Sequence, residues 1–431
     1  MLPQLRELEQ RFPESVAVVG VHSGKYIAER ETSRIRDASI RLDAIHPLLN
    51  DRQFRVWRAY AVRAWPTLVA IDPRGAVVGM SAGEFTADSV APFVERVVAA
   101  ARADGSLREG SLHFPAEPPL TAPGELAYPG KVAVRGDRIA VADSGHHRIL
   151  IGRLEERGLR MRVHRVVGSG VAGFADGDAA AFRYPQGLAF AHDTLYVADT
   201  GNHAVRAVAL ESGATRAIAG TGTQLRTAGD RARGALSSPW DLVLHGDTLH
   251  VAMAGIHQLW TIDLRDGTAA ERTGSGAEEL HDGAHREAAL AQPMGIALDG
   301  DTLLVADAES NAGREVDLDV AGGVRTIVGT GLFDFGDVDG VGDAARLQHP
   351  QGLAVGRDGR VIVCDSYNDS LRWLDRAARR VTTRVRDLHE PGGVAIGARG
   401  AYVADTNAHR IAVADWVSGE LHPVEIVMTG S

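Results

Sequence analysis

The stretch VADTGNHAV at residues 197–205 decides the fold, because close copies of it recur from residue 125 onward. Each copy ends the second of two short apolar runs, and the first of these runs follows a proline. The six units begin at Pro129, Pro185, Pro239, Pro293, Pro350 and Pro391. Internal similarity at spacings of 41 to 57 residues indicates a repeat architecture.

Each unit holds four apolar or β-branched runs, which we name a to d, separated by turns rich in glycine and aspartate. These runs predict a four-stranded antiparallel sheet. One such sheet cannot bury both of its faces, whereas six sheets around an axis bury them against one another. Leucine-rich repeats are about half as long, and ankyrin or tetratricopeptide repeats would show helical periodicity. We therefore predict a multidomain chain in which residues 125–431 form an all-β, six-bladed propeller.

Residues 1–105 alternate helical and strand patterns and predict a separate α/β domain. Strands are expected over residues 15–21, 67–71 and 76–80, with helices before, between and after them. Residues 106–124 contain four prolines and are predicted to form the linker between the two domains.

The repeated stretches resemble the NHL repeat, which is named for an Asn-His-Leu signature and whose members form β-propellers. The match rests on VADSGHHRI (residues 141–149), on VADTGNHAV and on VADTNAHRI (residues 403–411). Three units depart from the pattern. The third has Met253 in place of aspartate, the fourth is expected to have Asn311 displaced by an insertion, and the fifth has Asp369 in place of histidine.

The order of elements in residues 1–105 looks like a thioredoxin-like domain. Together with the six repeats, the chain resembles the NHL-repeat-containing protein 2 family, through GVHSGKY (20–26), HPLLND (46–51) and WPTLV (65–69). The resemblance implies a cis-proline at Pro66 and a partner groove lined by Trp65, Pro66 and Thr67.

The same resemblance implies a first strand and a Cys-x-x-Cys motif at the start of the helix that corresponds to residues 2–12. Neither is present, because the sequence begins inside that helix and Cys364 is its single cysteine. Thiol–disulfide exchange needs a nucleophilic and a resolving thiol, so the chain as given cannot perform it. We hypothesise that the start is misplaced and that a longer gene product restores the motif.

Aspartates and histidines recur at fixed positions of the repeat. An aspartate at the end of a strand most often accepts backbone N–H groups in a turn. Histidines spread over different repeats do not converge on one metal ion, so a structural role in the hairpin is predicted for them as well. These predicted turn residues are Asp143, His147, Asp199, His203, His257, Asp307, Asp365, Asp405 and His409.

Residues 334–343 are dense in carboxylates, and Asp337 and Asp339 are weak candidates for binding Ca²⁺. The segment lacks the twelve-residue loop and terminal glutamate of a complete calcium loop. No metal and no cofactor are therefore predicted. Cys364 takes the place of a small buried residue and is expected to be an inert core thiol.

The connections from strand d to the next strand a are long, up to 21 residues at 329–349, and lie on the same rim as the b–c turns. We call this the b–c rim and predict that it binds a protein or peptide. Two alternatives remain: a thiol–disulfide oxidoreductase, if a longer product has the motif, and a propeller hydrolase or lyase with a metal in its channel. Among the inner strands only Asp241 offers a ligand for the second alternative.

A net charge of −10 opposes general affinity for nucleic acid, and only Arg226, Arg231 and Arg233 form a basic cluster. No apolar run reaches the roughly 18 residues of a membrane helix, and the first residues lack the apolar core of an export signal. We predict a cytoplasmic protein without a nucleic-acid or membrane partner. Its oligomeric state is left open.

Overall fold

A computed structural model describes residues 2–42, 44, 46–110, 124–356 and 358–428. The chain divides into two compact units, Met1–Ala122 and Pro123–Ser431. Most of the predicted linker, at 111–123, lies outside the described residues.

The first unit is a small α/β region, consistent with an incomplete thioredoxin-like domain. Its elements are α1 (Leu2–Arg11), β1 (Gly20–His22), a 3-10 turn (Ala28–Arg30), α2 (Thr32–Arg41), β2 (Leu48–Asn50), α3 (Arg55–Ala59), β3 (Thr67–Ile71), β4 (Val77–Ala82) and α4 (Ala87–Ala103). β1 pairs in parallel with β2, and β3 pairs antiparallel with β4. The strand predicted over 15–21 was placed wrongly, because the three residues of β2 pair only with Gly20–His22.

The second unit consists of six antiparallel sheets, each made of four strands that follow one another along the chain. Strands a to d are Pro129–Arg135, Arg138–Asp143, Arg148–Glu155 and Arg160–Val167 in blade 1; Leu188–Phe190, Thr194–Asp199, Ala204–Ala209 and Thr215–Ala219 in blade 2; and Pro239–His245, Thr248–Met253, Gln258–Asp263 and Ala269–Thr273 in blade 3.

In the second half of the ring, strands a to d are Pro293–Asp299, Thr302–Asp307, Ala312–Asp317 and Gly323–Val328 in blade 4; Gly352–Val355, Val361–Asp365, Ser370–Asp375 and Arg380–Val385 in blade 5; and Pro391–Ile396, Gly400–Asp405, Arg410–Asp415 and Leu421–Pro423 in blade 6. Short strands at Gly283–Ala284 and Gly340–Val341 extend blades 4 and 5 at their outer edges. A one-turn helix, α5 (Ala228–Ala232), lies in the connection to blade 3.

Strands a surround the axis, because each of them contacts strand a of the next blade all the way round, including blade 6 against blade 1. The predicted six-bladed propeller is therefore confirmed. Side-chain alternation along strand b explains how the blades hold together. In blade 2, Leu195 and Val197 pack toward blade 1, while Tyr196 and Ala198 pack toward blade 3.

The ring is closed by a segment that the repeat pattern does not reveal. Residues Glu425–Met428 leave blade 6 and pair in parallel with strand d of blade 1, as its fifth strand. Val424, just before this closing strand, is 5% exposed and belongs to an apolar cluster that includes Met161 of blade 1 and Ile411 of blade 6. The Nε of Arg160 donates to Glu425 at 2.7 Å.

Val424→Ala is expected to lower the free energy of unfolding by about 1.5–2.5 kcal/mol, because it removes buried methyl groups at the seam between the first and last blades. Val417→Ala is the matched control, since Val417 is 96% exposed. Urea unfolding measures both variants. Equal stabilities would show that the closing segment adds nothing to the ring.

Candidate functional site

Each b–c turn ends in a residue with left-handed backbone geometry. The φ angles lie between 50° and 56° at His147, His203, His257, Asn311, Asp369 and His409. Histidine, asparagine and aspartate are the non-glycine residues that enter this region most readily. Asn311 follows Asp307 by four residues, as His203 follows Asp199, so the insertion expected in the fourth unit is absent.

These six side chains bind the neighbouring blade. His203 Nδ1 accepts the N–H of Ser238 at 3.0 Å, and Asn311 Oδ1 accepts that of His349 at 3.1 Å. Equivalent bonds of 2.9 to 3.2 Å join His147, His257, Asp369 and His409 to the N–H groups of Tyr184, Gln292, Glu390 and Tyr128. Every donor is the residue before a repeat proline and has a positive φ itself. One such bond therefore crosses each of the six boundaries.

An imidazole nitrogen that accepts a hydrogen bond cannot carry a proton of its own. Consistently, burial together with the nearby Arg226 and Arg183 lowers the pKa of His203 to about 4. Burial also lowers the pKa of His409, with His146 adding to the effect. Asn311 and Asp369 accept the equivalent hydrogen bond through a side-chain oxygen and need no imidazole.

The repeated aspartates are fully buried and act over a longer distance than a turn cap. Asp199 Oδ1 accepts the N–H of Arg183 at 2.8 Å, a residue in the connection that precedes its own blade. Bonds of 2.6 to 2.7 Å join Asp143, Asp307, Asp365 and Asp405 in the same way to Ala127, Ala291, Gln348 and His389. Each aspartate thus ties strand b to the connection that leads into its blade.

Arginines, which the sequence analysis did not single out, pair with the second oxygen of each aspartate. Arg206, Arg314 and Arg372 are fully buried and reach Asp199, Asp307 and Asp365 at 2.7 to 3.0 Å. In blades 1 and 6 the partners are Arg148 and Arg410, each at 2.7 Å. The sequence could have indicated these partners, because an arginine follows the aspartate by seven residues in blades 2, 4 and 5 and by five residues in blades 1 and 6.

Blade 3 lacks this ion pair and shows what replaces it. Met253 stands at the aspartate position, and Trp260, seven residues later, stands at the arginine position. Both side chains are buried in one apolar cluster. Replacing both partners of a buried ion pair by apolar groups of similar size is often neutral for stability.

The two candidate calcium ligands bind an arginine. Arg372 donates to Asp337 at 3.1 Å and to Asp339 at 2.8 Å. Among the described residues, no group of three or more histidine, cysteine, aspartate or glutamate side chains could hold a metal ion. Cys364 is fully buried, and burial raises the pKa of its thiol to about 12.

Lys131 and Asp241 fill the axis of the propeller. Lys131 lies two residues after Pro129, and its Nζ donates to Asp241 Oδ2 at 3.2 Å. It also donates to the carbonyl oxygens of Met294 (3.0 Å) and Gln351 (2.5 Å), so one ammonium joins blade 1 to blades 3, 4 and 5. The carboxylate that the sequence offered as a channel ligand is therefore already paired.

Lys131 and Asp241 each lie two residues after a repeat proline. At the same position in the other four blades, the close approach of the inner strands requires glycine, and these residues are Gly187, Gly295, Gly352 and Gly393. A Cβ on Gly187 would lie 2.6 Å from the Cα of Asp241. A Cβ on Gly295 would lie 2.9 Å from both the Gln351 carbonyl oxygen and the Cα of Gly352. Side chains there would force neighbouring blades apart.

In the first unit, the Trp65–Pro66 peptide bond is cis, and Trp65 is 46% exposed. The ring of Trp65 lies 4.4 Å from that of Trp57, and its Nε1 donates to the Ser23 carbonyl at 2.7 Å. Thr67 donates its hydroxyl to the Ala64 carbonyl. Pro66 and Thr67 thus adjoin a partly exposed aromatic surface.

Arg372→Trp is expected to lower the free energy of unfolding by about 3–5 kcal/mol, because Asp365 would stay buried without its partner. Asp365→Met combined with Arg372→Trp copies blade 3 and is expected to cost at least ~1 kcal/mol less than the sum of the single changes. Urea unfolding of the four proteins completes the cycle. Additive costs would contradict a mutual dependence of the pair.

His203→Asn is expected to keep the inter-blade bond, as Asn311 does, and to reduce the loss of stability in acid. The folded pKa of His203 lies below its unfolded value near 6.5, so the unfolded state takes up the proton first as the pH falls. The wild type should lose about 2–3 kcal/mol through this group between pH 6.5 and 4.

Unfolding curves at pH 7.5, 6 and 5 compare wild type with His203→Asn. Burial raises the pKa of Asp199 to about 6, which acts in the opposite direction, but equally in both proteins. Their difference therefore isolates the imidazole. A difference that does not change with pH would refute the assigned hydrogen bond.

Comparison with known proteins places these features in a family. A profile of the NHL repeat matches residues 126–151, 182–207 and 347–374. NHL repeat-containing protein 2 of Gallus gallus and that of Homo sapiens are each 34% identical to the chain over 96% of its length, and the chain covers 64% of each relative.

A third relative is Protein SUPPRESSOR OF QUENCHING 1, chloroplastic, of Arabidopsis thaliana. It is 34% identical over 97% of the chain, which covers 43% of that protein. The chain thus spans less than two thirds of the relatives it matches. The chain carries the same kind of repeat and is 34% identical over almost its whole length, so it is homologous to NHL repeat-containing protein 2.

Proposed function

We propose that the chain is a binding scaffold whose b–c rim engages a protein or peptide partner. NHL propellers generally mediate protein interactions. The observation that carries the proposal is the exposure of apolar side chains on the long connections of this rim. Val171 is 70% exposed, Phe174 is 43% exposed and Phe333 is 72% exposed. Exposed aromatic residues on a fixed scaffold are typical of protein interfaces.

A rigid frame supports these connections. The buried aspartates and the hydrogen bonds between blades hold the last residues of these connections, such as Arg183 and Tyr184, which limits the entropy that the connections lose on binding. Phe174 illustrates this, since the guanidinium of Arg206 lies 4.9 Å from its ring. The same arginine pairs with Asp199.

The first unit supplies a second place for a partner, around Trp65, Pro66 and Thr67. Asp51 fixes the neighbouring helix, because its carboxylate accepts the N–H groups of Arg55 and Trp57 at 2.7 and 2.9 Å. Although burial alone would raise the pKa of Asp51, these bonds hold it below its usual value. The Trp57 and Trp65 rings are thereby positioned at the start of this groove.

The alternatives have less support. Thiol–disulfide exchange needs two thiols, and Cys364 is the single cysteine of the chain. A hydrolase or lyase with a metal in the channel would need a free carboxylate, whereas Asp241 is bound by Lys131. No helix in the described part of the chain is long and apolar enough to cross a membrane. A cytoplasmic location stays a prediction.

Phe333→Ser combined with Val171→Ser is expected to abolish partner binding by the full chain, because it removes two exposed apolar side chains from the b–c rim. Val320→Ser combined with Val417→Ser is the matched control, since these valines are 85% and 96% exposed on the opposite rim. Proteins retained by the immobilised wild-type chain are quantified by mass spectrometry against each variant, with melting temperatures as a folding check. Equal retention by both variants would contradict the proposed rim.

A further inference from the structure

Departures from the repeat concentrate at two boundaries, between blades 3 and 4 and between blades 4 and 5. At the other four boundaries, the residue after the strand b aspartate has a hydroxyl that donates to the proline carbonyl of the next blade. These bonds, of 2.5 to 2.9 Å, link Ser144 to Pro185, Thr200 to Pro239, Ser366 to Pro391, and Thr406 to Pro129. Blades 3 and 4 have Ala254 and Ala308 instead.

Trp240 occupies the space that these alanines leave. It follows Pro239 directly, is half-buried, and packs with Ala254, Ala308 and Met294 in a small apolar cluster on the b–c rim. Together with the replacement of the buried ion pair by Met253 and Trp260, this makes blade 3 the blade that departs furthest from the repeat. In a repeat protein, positions that keep the pattern maintain the ring, and concentrated departures indicate a specialised sector.

The polar atoms of this sector are available for a ligand. Among the described residues, no hydrogen bond is made by the indole Nε1 of Trp240 or by the side-chain amide of Gln186, although both side chains are partly exposed. The two positions are neighbours, because Gly187 N–H donates to the Trp240 carbonyl at 3.0 Å. The two side chains turn to opposite sides of this pair of strands, because Trp240 packs toward Met294 and Ala308 of blade 4, whereas the Gln186 amide lies against Gly130 of blade 1.

The residues that follow each repeat proline are Gly130, Gln186, Trp240, Met294, Gln351 and Gly392, and we call them the axial mouth. Directly beneath them, the ammonium of Lys131 is bound by Asp241 and by two carbonyl oxygens. A ligand therefore cannot pass through the axis and must lie across the mouth. The mouth itself contains no charged residue, so it favours an uncharged ligand over nucleic-acid phosphates.

We propose that the axial mouth binds an extended, uncharged polypeptide segment, with one apolar side chain of that segment packed against Trp240. The Trp240 N–H and the Gln186 amide bind its main-chain groups. This inference rests on the proposed scaffold function and assigns to it an anchor residue and a class of partner. Tryptophan is among the residues that most often dominate the energetics of such interfaces.

The test uses phage-displayed random 12-residue peptides selected against the full wild-type chain, followed by fluorescence anisotropy with individual synthetic peptides. Trp240→Ala is expected to weaken binding at least tenfold, and Trp240→Phe, which keeps a ring but loses the N–H, by an intermediate factor. Trp416→Ala is the matched control, because Trp416 is 42% exposed on the opposite rim. It should bind like the wild type.

Unchanged affinity of the selected peptides for Trp240→Ala would overturn the inference. If Phe333→Ser combined with Val171→Ser abolishes binding while Trp240→Ala does not, the rim function survives and the axial mouth is wrong. Failure to select any peptide would refute the axial mouth, whereas the rim function would still be decided by the retention of proteins on the immobilised chain. Binding of a single-stranded oligouridine that depends on Trp240 would overturn the polypeptide assignment. If Trp240→Ala does not fold, Gln186→Ala takes its place and must weaken binding at least threefold.

Discussion

The hydrogen bond that crosses each blade boundary is the interaction on which the ring depends. Its acceptor is a δ1 atom on a left-handed residue, and its donor is the N–H before the next proline. The proline fixes the backbone that follows, and the left-handed turn aims the acceptor. Histidine, asparagine and aspartate all place an acceptor at the same distance from the main chain, which explains why blades 4 and 5 tolerate Asn311 and Asp369.

Much of the fold could be predicted from the sequence because each repeat is local. Four strands, a proline and a strand-ending aspartate recur within about fifty residues, so the blade number follows from counting. The closing segment could not be predicted in this way, since Glu425–Met428 occurs once and pairs with a strand far away in the sequence. The strand expected over 15–21 was placed wrongly for a related reason, because its position depends on β2, a partner only three residues long that pairs with Gly20–His22.

The site residues show the same difference between features that are local in the sequence and contacts with distant residues. The repeated aspartates and histidines were recognisable by position, but partners such as Arg183 for Asp199 and Ser238 for His203 lie in other segments of the chain. Lys131 was recognisable only as one of two lysines, and its contacts with blades 3, 4 and 5 exist only in the closed ring. Asp337 and Asp339 suggested a cation from composition alone, and the cation they bind is Arg372.

Amide hydrogen exchange at single-residue resolution tests the central claim most directly. The N–H groups of Tyr128, Tyr184, Ser238, Gln292, His349 and Glu390 lie in connections between strands, where exchange is ordinarily fast. If each is held by the neighbouring blade, all six should exchange as slowly as the amides of strand b. Exchange at the rate of the exposed connection residues would contradict the ring of hydrogen bonds.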